Sequence, residues 1–125
     1  MRTIKLRAWD KLHKRLADVF RISFLSGEVI LGDLEDVWAI NTNFKNIVLE
    51  QYTGLKDRNG KEIYEGDILR TRDFIFNDGK FIFLPVEYSK YAEWELGMRR
   101  LNDVYKSCEV VGNIHENADL LGAEE

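Results

Sequence analysis

The chain has few of the residues that support covalent, metal-based or membrane-spanning chemistry. Its 125 residues include one cysteine, one proline and two histidines. A single cysteine excludes an internal disulfide bond and fits a reducing compartment, and this set of cysteine and histidine is too small for a conventional zinc site. No apolar run approaches the ~18 residues that cross a membrane, and charged residues interrupt the N-terminal segment where a signal peptide would be apolar. We therefore expect no metal, no other cofactor, no membrane contact and a cytoplasmic location.

The composition is nevertheless that of a folded protein. Apolar residues make up 45% of the chain and aromatic residues 12%, which is enough for a packed interior. A chain of 125 residues is typical of one domain with one core. We expect a single domain over residues 1–125.

Charge is unevenly distributed along the chain. The net charge is −4, which argues against a protein that coats nucleic acid, but residues 1–21 carry seven Lys or Arg against two Asp, a net +5. The remainder therefore carries −9. A basic end and an acidic body can bind an anionic partner, can meet between subunits, or can neutralise one another within the monomer.

Strand-like patterns recur along the whole chain. Residues 20–24 alternate between apolar and polar, as half-buried strands do. An Asp-Gly pair between residues 74–76 and 81–83 indicates a hairpin, and Pro85 indicates a strand end or an edge. The segments with alternating or short apolar patterns are residues 4–8, 20–24, 29–31, 37–40, 47–49, 74–76 and 81–83.

The last third of the chain contains one ambiguous segment. Aromatic and apolar residues between 89 and 107 recur at helical spacing, interrupted by Gly97, whereas Trp94 to Leu96 alternate as a short strand. We favour a strand followed by a turn or one helical turn, with an amphipathic helix as the alternative. Gly112 indicates a bulge in a final strand, and Asn117 is placed to cap a short helix that Gly122 ends.

The central segment, residues 51–68, allows its hairpin to be predicted in detail. A two-residue loop at Asn59-Gly60 would place like charges opposite each other. A three-residue loop, Arg58 to Gly60, instead places Asp57 opposite Lys61. It also pairs Lys56 with Glu62 and Leu55 with Ile63. Each cross-strand pair contributes only about 0.2–1 kcal/mol, but all three favour the longer loop. Gly60 should then have a positive φ, as should Gly66 in the tight turn that follows.

Three blocks of the sequence together resemble the YopX family of phage and prophage proteins. Residues 4–10 are similar to the family's opening, with Leu6 in place of Phe, and residues 52–68 are similar to its centre. Residues 110–117 and 120–121 are similar to its close, with Ala118 in place of Pro. The resemblance implies structural roles for the shared residues but no chemistry, because the family's biochemical function is unknown. Those residues are Tyr52, Gly54, Leu55, Asp57, Gly60, Ile63, Tyr64, Gly66, Asp67, Gly112 and Asn113. We expect a mainly β fold, a partly open β-barrel with an elaborated N-terminal sheet and a short C-terminal helix.

Few residues suggest catalysis. Cys108 and His115 are seven positions apart, so an unbroken strand would place them on opposite faces. Only a bulge at Gly112 could bring them to one side. Glu65 and Asp67 flank Gly66 and are better explained by a tight turn than by a cation site. No phosphate-binding glycine loop, nucleophile elbow or dinucleotide fingerprint is present. We expect no catalytic residues and no enzymatic activity.

One basic face is the candidate binding surface. Lys5, Arg7 and Trp9 share one face of the first predicted strand, where two cations and an indole could contact a nucleic acid. The alternative is that Trp9 packs beneath a loop with the cationic side chains along it. Arg70 and Arg72 form a second pair on one face of a strand.

These observations favour a non-enzymatic phage or prophage accessory protein that binds protein. We expect it to bind either a second copy of itself or a host or phage protein. The N-terminal strand should contribute to a homo-oligomer, with Trp9 and Trp38 supplying apolar area. The alternatives are a nucleic-acid-associated factor that uses the basic N-terminal strand, which is possible but not favoured, and a small enzyme of unknown reaction.

Overall fold

The chain folds into antiparallel β-structure arranged as two compact units. A computed structural model describes residues 2–74 and 78–122. Thr3–Gln51 form one unit, called here the N-terminal unit, and Tyr52–Glu125 with Met1–Arg2 form the other, the C-terminal unit. The pairing gives two antiparallel sheets and one short α-helix, so the predicted mainly β fold is confirmed. That the two units act as one domain stays a prediction.

The N-terminal unit is a curled sheet in the order β4-β3-β2-β1-β5. A three-residue 3-10 turn, Phe44–Asn46, joins β4 to β5. In a flat sheet these two strands would lie four spacings apart, about 19 Å, whereas the four residue steps between them span at most about 14 Å. The sheet therefore curls, consistent with the predicted partly open barrel. The strands are β1 Leu6–Asp10, β2 Arg15–Ile22, β3 Glu28–Asp33, β4 Trp38–Asn43 and the first half of β5 Ile47–Lys56.

One face of this sheet forms the core of the N-terminal unit. Its buried residues are Ala8, Ala17, Val29, Leu31 and Ile47. The first two strands differ from their predicted limits at both ends: β1 is Leu6–Asp10 where residues 4–8 were predicted, and β2 is Arg15–Ile22 where residues 20–24 were predicted. Ile4 is 72% exposed and Phe24 is 79% exposed, because Ile4 precedes the first strand pair and Phe24 lies in the β2–β3 turn.

The C-terminal unit contains the second half of β5 paired with β6 and a five-stranded sheet in the order β10-β9-β8-β7-β11. A short helix packs its buried residue Leu101 into the core of this unit with Ile63, Leu69, Val86 and Cys108. The elements are β6 Glu62–Tyr64, β7 Asp67–Asp73, β8 Lys80–Tyr88, β9 Trp94–Leu96, β10 Arg99–Arg100, α1 Leu101–Val104 and β11 Glu109–Asn113, with 3-10 turns at Tyr105–Ser107 and Ala118–Leu120.

The ambiguous segment is resolved as a strand followed by a helical turn. β9 turns at Gly97, whose φ is 61°, into β10 and then α1. The favoured alternative is therefore confirmed, and the amphipathic helix across residues 89–107 was wrong because the positive φ of Gly97 ends any helical run there.

The hairpin around the Asp-Gly pair is present, with different limits. β7 ends at Asp73 and β8 begins at Lys80. Asp78 and Gly79 in the connection have φ of 51° and 79°. Within the predicted strand at 74–76, residue 74 lies in a turn and residues 75–76 lie outside the described residues.

Of the two alternatives predicted for Pro85, a strand end or an edge, the strand end is wrong. β8 continues to Tyr88. Its ladder with β7 ends at the pair Ile68–Pro85, and its ladder with β9 begins at Val86–Leu96. The missing N–H of proline therefore falls where β8 changes partner.

The short C-terminal helix is a single 3-10 turn, Ala118–Leu120. Asn117 precedes it, but its side chain makes no capping hydrogen bond, so that prediction was wrong. Its Oδ1 instead accepts the backbone N–H of Asn113 at 3.1 Å. The bulge predicted at Gly112 is confirmed, because the β7–β11 register shifts between Val110 and Gly112.

Candidate functional site

The central hairpin has the predicted three-residue loop. Lys56 pairs with Glu62, the N–H of Asp57 donates to the carbonyl of Lys61 at 2.8 Å, and Gly60 has a φ of 82°. These contacts confirm the charge argument.

The third predicted pair, Leu55 with Ile63, is not in the ladder. β5 takes four steps from Tyr52 to Lys56, whereas β6 takes two from Tyr64 to Glu62. The extra residues bulge where Gly54 has a φ of 87°, so the register slips at this point. Both apolar side chains still pack in the core of the C-terminal unit.

Asp57 holds the hairpin loop to the last strand. Its carboxylate is buried, and Oδ1 accepts the backbone N–H groups of Asn59 at 2.8 Å and Lys61 at 2.9 Å. Oδ2 accepts the N–H of Val110 at 2.9 Å, 53 positions away in the chain. Burial alone raises the pKa of Asp57, but these donors together with the charge of Lys61 hold it below its ordinary value. The role of Asp57 is therefore structural.

The other polar motif residues also bind backbone. Asp67 accepts the N–H of Tyr64 through Oδ2 at 2.7 Å, closing the turn in which Gly66 has a φ of 83°. Asn113 accepts the N–H groups of His115 and Glu116 through Oδ1, each at 3.0 Å. Asp57, Asp67 and Asn113 therefore shape turns and join strands.

The predicted basic face is largely compensated in charge. Lys5 is exposed and precedes β1. Arg7 lies in β1 with its side chain 14% exposed, and its Nε donates to Oε1 of the buried Glu50 at 3.0 Å. Trp9 is half-buried on the same strand face. β1 lies between β2 and β5, so any contact through it uses its face and not a strand edge.

A second basic feature follows directly after β1. We call residues 11–15 the basic turn, because they comprise Lys11, Leu12, His13, Lys14 and Arg15. Asp10, at the end of β1, is fully buried. Its Oδ1 accepts the backbone N–H groups of Leu12 at 3.1 Å and His13 at 3.3 Å. The turn is thus built around one buried carboxylate.

The same carboxylate orients an imidazole. Nδ1 of His13 lies 2.7 Å from Oδ2 of Asp10, and the His13 side chain is 52% exposed. Burial alone raises the pKa of Asp10, but the hydrogen bonds and charge of His13 and the N–H of Leu12 hold it below its ordinary value. Ionised Asp10 accepts the Nδ1 proton, so the ring is fixed at the protein surface with Nε2 turned away from that carboxylate.

Contacts on both sides anchor the basic turn. The N–H of Lys11 donates to the carbonyl of Asn46 at 2.9 Å, and its Nζ donates to the carbonyl of Lys45 at 3.3 Å. The guanidinium of Arg15 lies 3.6 Å from the ring centre of Trp38. The backbone of Lys45 is thereby tied to the turn, and Leu12, between Lys11 and His13, is 65% exposed.

Sequence reasoning missed the basic turn as a site. The charges of these residues were counted only toward the total for residues 1–21. The available signal was an aspartate at a strand end followed by four basic residues around one leucine. Short polar side chains of this kind often accept N–H groups two or three positions later.

The comparisons with known proteins agree with the fold and its motif. A family model described as YopX protein matches residues 5–122. The chain belongs to the YopX family. A solved relative, protein EF1440 from Enterococcus faecalis, is 29% identical, with a TM-score of 0.64 over 97% of this chain and 99% of that one. No curated protein matches the chain.

In this YopX chain the surroundings of Cys108 indicate a structural role. Cys108 is fully buried, and its thiol donates to the carbonyl of Val104 at 3.1 Å. Burial raises the pKa of the Cys108 thiol, which is the opposite of the shift that activates a nucleophile.

Two further findings concern metals and membranes. Across residues 2–74 and 78–122, no three His, Cys, Asp or Glu side chains are grouped so as to hold a metal ion. Asp67, one of the two acids flanking Gly66, is 3% exposed and bonded to backbone. Within the same part of this YopX chain, no helix has the length and apolar character to span a bilayer.

Proposed function

We propose that this YopX-family chain is a non-enzymatic binding module that assembles with a second copy of itself through the basic turn. The observation that carries the proposal is that the buried Asp10 carboxylate holds Lys11, His13 and Lys14 on a fixed turn around the exposed Leu12. The resemblance of the sequence to phage and prophage proteins supports an accessory role in the cytoplasm of a bacterial host.

The charge distribution supports a second copy as the partner. Residues 1–21 carry +5, and the remaining residues carry −9. Every other copy of the chain therefore carries an excess of acidic residues outside its N-terminal segment, which can attract the basic turn. Complementary charge speeds association and selects orientation more than it adds affinity.

Apolar area must supply most of the affinity, because an exposed ion pair contributes only about 0–1 kcal/mol. Leu12 is 65% exposed within the basic turn, and Val37 is 86% exposed beside Trp38. Trp38 is itself half-buried, packed on the core and covered by Arg15. Leu12 is thus better placed than either Trp9 or Trp38 to act as the apolar anchor.

The test is the mass of the protein in solution. Light scattering at micromolar concentration and moderate salt should give the mass of a dimer or larger species. The double variant Lys11→Glu with Lys14→Glu should shift it toward the monomer, as should Leu12→Ser, which leaves charge unchanged. The matched control, Lys90→Glu with Lys106→Glu, makes the same change in net charge at exposed lysines of the C-terminal unit and should leave the mass unchanged.

The outcomes separate this proposal from its rivals. A monomeric wild-type mass would end the proposal of self-assembly. A monomer that binds single-stranded DNA with affinity falling steeply as salt rises would favour the nucleic-acid function instead. Loss of assembly in the control variant would show that net charge, and not the basic turn, governs association.

A further inference from the structure

Two arginines on the five-stranded sheet stack on one phenyl ring. Arg72 pairs directly with Phe81 across β7 and β8, and Arg70 pairs with Phe83 two positions away on the same face. The guanidinium carbons of Arg70 and Arg72 lie 3.8 and 4.2 Å from the ring centre of Phe81. We call these three side chains, Arg70, Phe81 and Arg72, the arginine stack.

Stacking fixes the two guanidinium groups through their faces. Cation–π contact uses the flat side of the group and leaves its in-plane N–H donors at the edge. One donor of Arg72, Nη1, is directed to the carbonyl of Gly79 at 2.9 Å. Nη1 of Arg70 lies 3.4 Å from Oε2 of Glu109. Each guanidinium is thus held in a defined plane before any ligand arrives.

The stack also concentrates like charge. The two guanidinium carbons are no more than about 8 Å apart, since each lies within 4.2 Å of the same ring centre. Two cations at this separation repel each other. The carboxylate of Glu109, 35% exposed, lies beside Arg70 and at the longer end of hydrogen-bond distance. An oxyanion that accepts N–H groups from the edges of both guanidinium groups, beside the ring of Phe81, would reduce the repulsion.

We propose that the arginine stack is a binding site for a phosphate group. Arginine pairs pre-oriented in this way match the several acceptor oxygens of a phosphate, which accepts forked N–H···O bonds. The phosphate can belong to a free small molecule or to a nucleic-acid strand. Either source would engage the same two guanidinium edges, and the experiment separates them.

The experiment follows the arginine Nε–H signals of the labelled full-length chain by NMR. Titration with inorganic phosphate should shift the signals of Arg70 and Arg72, with half-saturation on the order of 1 mM, as expected for a single weak oxyanion contact. Arg72→Ala should weaken this binding about tenfold, and Arg72→Lys should also weaken it because lysine keeps the charge but loses the planar fork. A parallel titration uses a short single-stranded DNA.

The controls compare an arginine outside the arginine stack with the residues that form it. Arg58→Ala removes an exposed arginine of the same unit and should leave phosphate binding unchanged, while Phe81→Leu should weaken it by freeing the guanidinium planes. Equal affinity for phosphate and DNA supports a small phosphorylated ligand, and tighter DNA binding at the same signals supports a nucleic-acid strand. The proposal is overturned if neither titrant shifts Arg70 and Arg72, or if Arg58→Ala weakens binding as much as Arg72→Ala.

Discussion

Replacing Asp57 by alanine should strongly destabilise the C-terminal unit. The buried carboxylate accepts three backbone N–H groups, from Asn59, Lys61 and Val110. Alanine removes both acceptor oxygens and leaves the three N–H donors without this partner. The bond to Val110 connects the hairpin loop with β11, so its loss also loosens contact between segments distant in the chain.

The magnitude follows from how exposed each donor becomes. Leaving one buried N–H group without an acceptor lowers the free energy of unfolding by about 1–3 kcal/mol. Val110 is half-buried, whereas Asn59 and Lys61 are exposed residues of the loop, and water can replace their acceptor. A total loss of about 3 kcal/mol is therefore expected, a large share of the 5–15 kcal/mol of a typical domain. Asp57→Asn should cost less, about 2 kcal/mol, because one amide oxygen is retained.

Urea unfolding followed by tryptophan fluorescence at neutral pH measures these differences. Asp103→Asn, at an exposed carboxylate in α1, is the control and should change the free energy of unfolding by less than about 0.5 kcal/mol. If Asp57→Ala lowered the free energy of unfolding by less than about 1 kcal/mol with an unchanged m-value, the three hydrogen bonds would not be a main support of the C-terminal unit.

Three further predictions concern pH, the thiol and close packing. Because the folded pKa of Asp57 lies below its ordinary 3.8, its stabilisation is complete above about pH 4 and is lost as pH falls through the folded pKa. Acid titration of the unfolding free energy should thus show a smaller loss for Asp57→Asn than for wild type. Cys108 should react with a thiol reagent far more slowly in the native than in the urea-unfolded chain, since it is fully buried; equal rates would contradict this. Gly32→Ala should cost more than about 2 kcal/mol, because its Cβ would clash with the ring of Phe20 and would lie 2.6 Å from the backbone carbonyl oxygen of Trp38. Gly60→Ala has open space and should cost only about 1 kcal/mol, for its positive φ, as urea unfolding of both variants would show.

Sequence patterns predicted local structure well where one short-range effect dominated. Cross-strand charges identified the loop ending at Gly60, and the positive φ required by Gly66 identified the next turn. Pro85 misled because proline is disfavoured within ladders, and only the three-dimensional pairing shows that β8 changes partners there. Asn117 misled for a related reason, since its side chain had a competing donor in Asn113. The change of partner in β8 could not be inferred from local sequence, whereas the bond between Asn113 and Asn117 spans only four positions.

The candidate sites were harder to predict, because charge counts do not reveal which charges are compensated. Arg7 was selected from strand periodicity, yet it is paired with Glu50 from 43 positions away. The basic turn was overlooked, although Asp10 holds its backbone and His13 from within five residues. A local aspartate-anchored turn is therefore a feature that sequence reading can search for, whereas a long-range ion pair is not.

The separation between motif and surface has a consequence for function. Asp57, Asp67 and Asn113 each direct their side-chain oxygens to backbone N–H groups. A chain that keeps these residues keeps the turns and strand junctions, whatever side chains its remaining surface presents. These three motif residues therefore have structural roles. The two surfaces proposed above for binding, the basic turn around Leu12 and the arginine stack on Phe81, lie outside the motif.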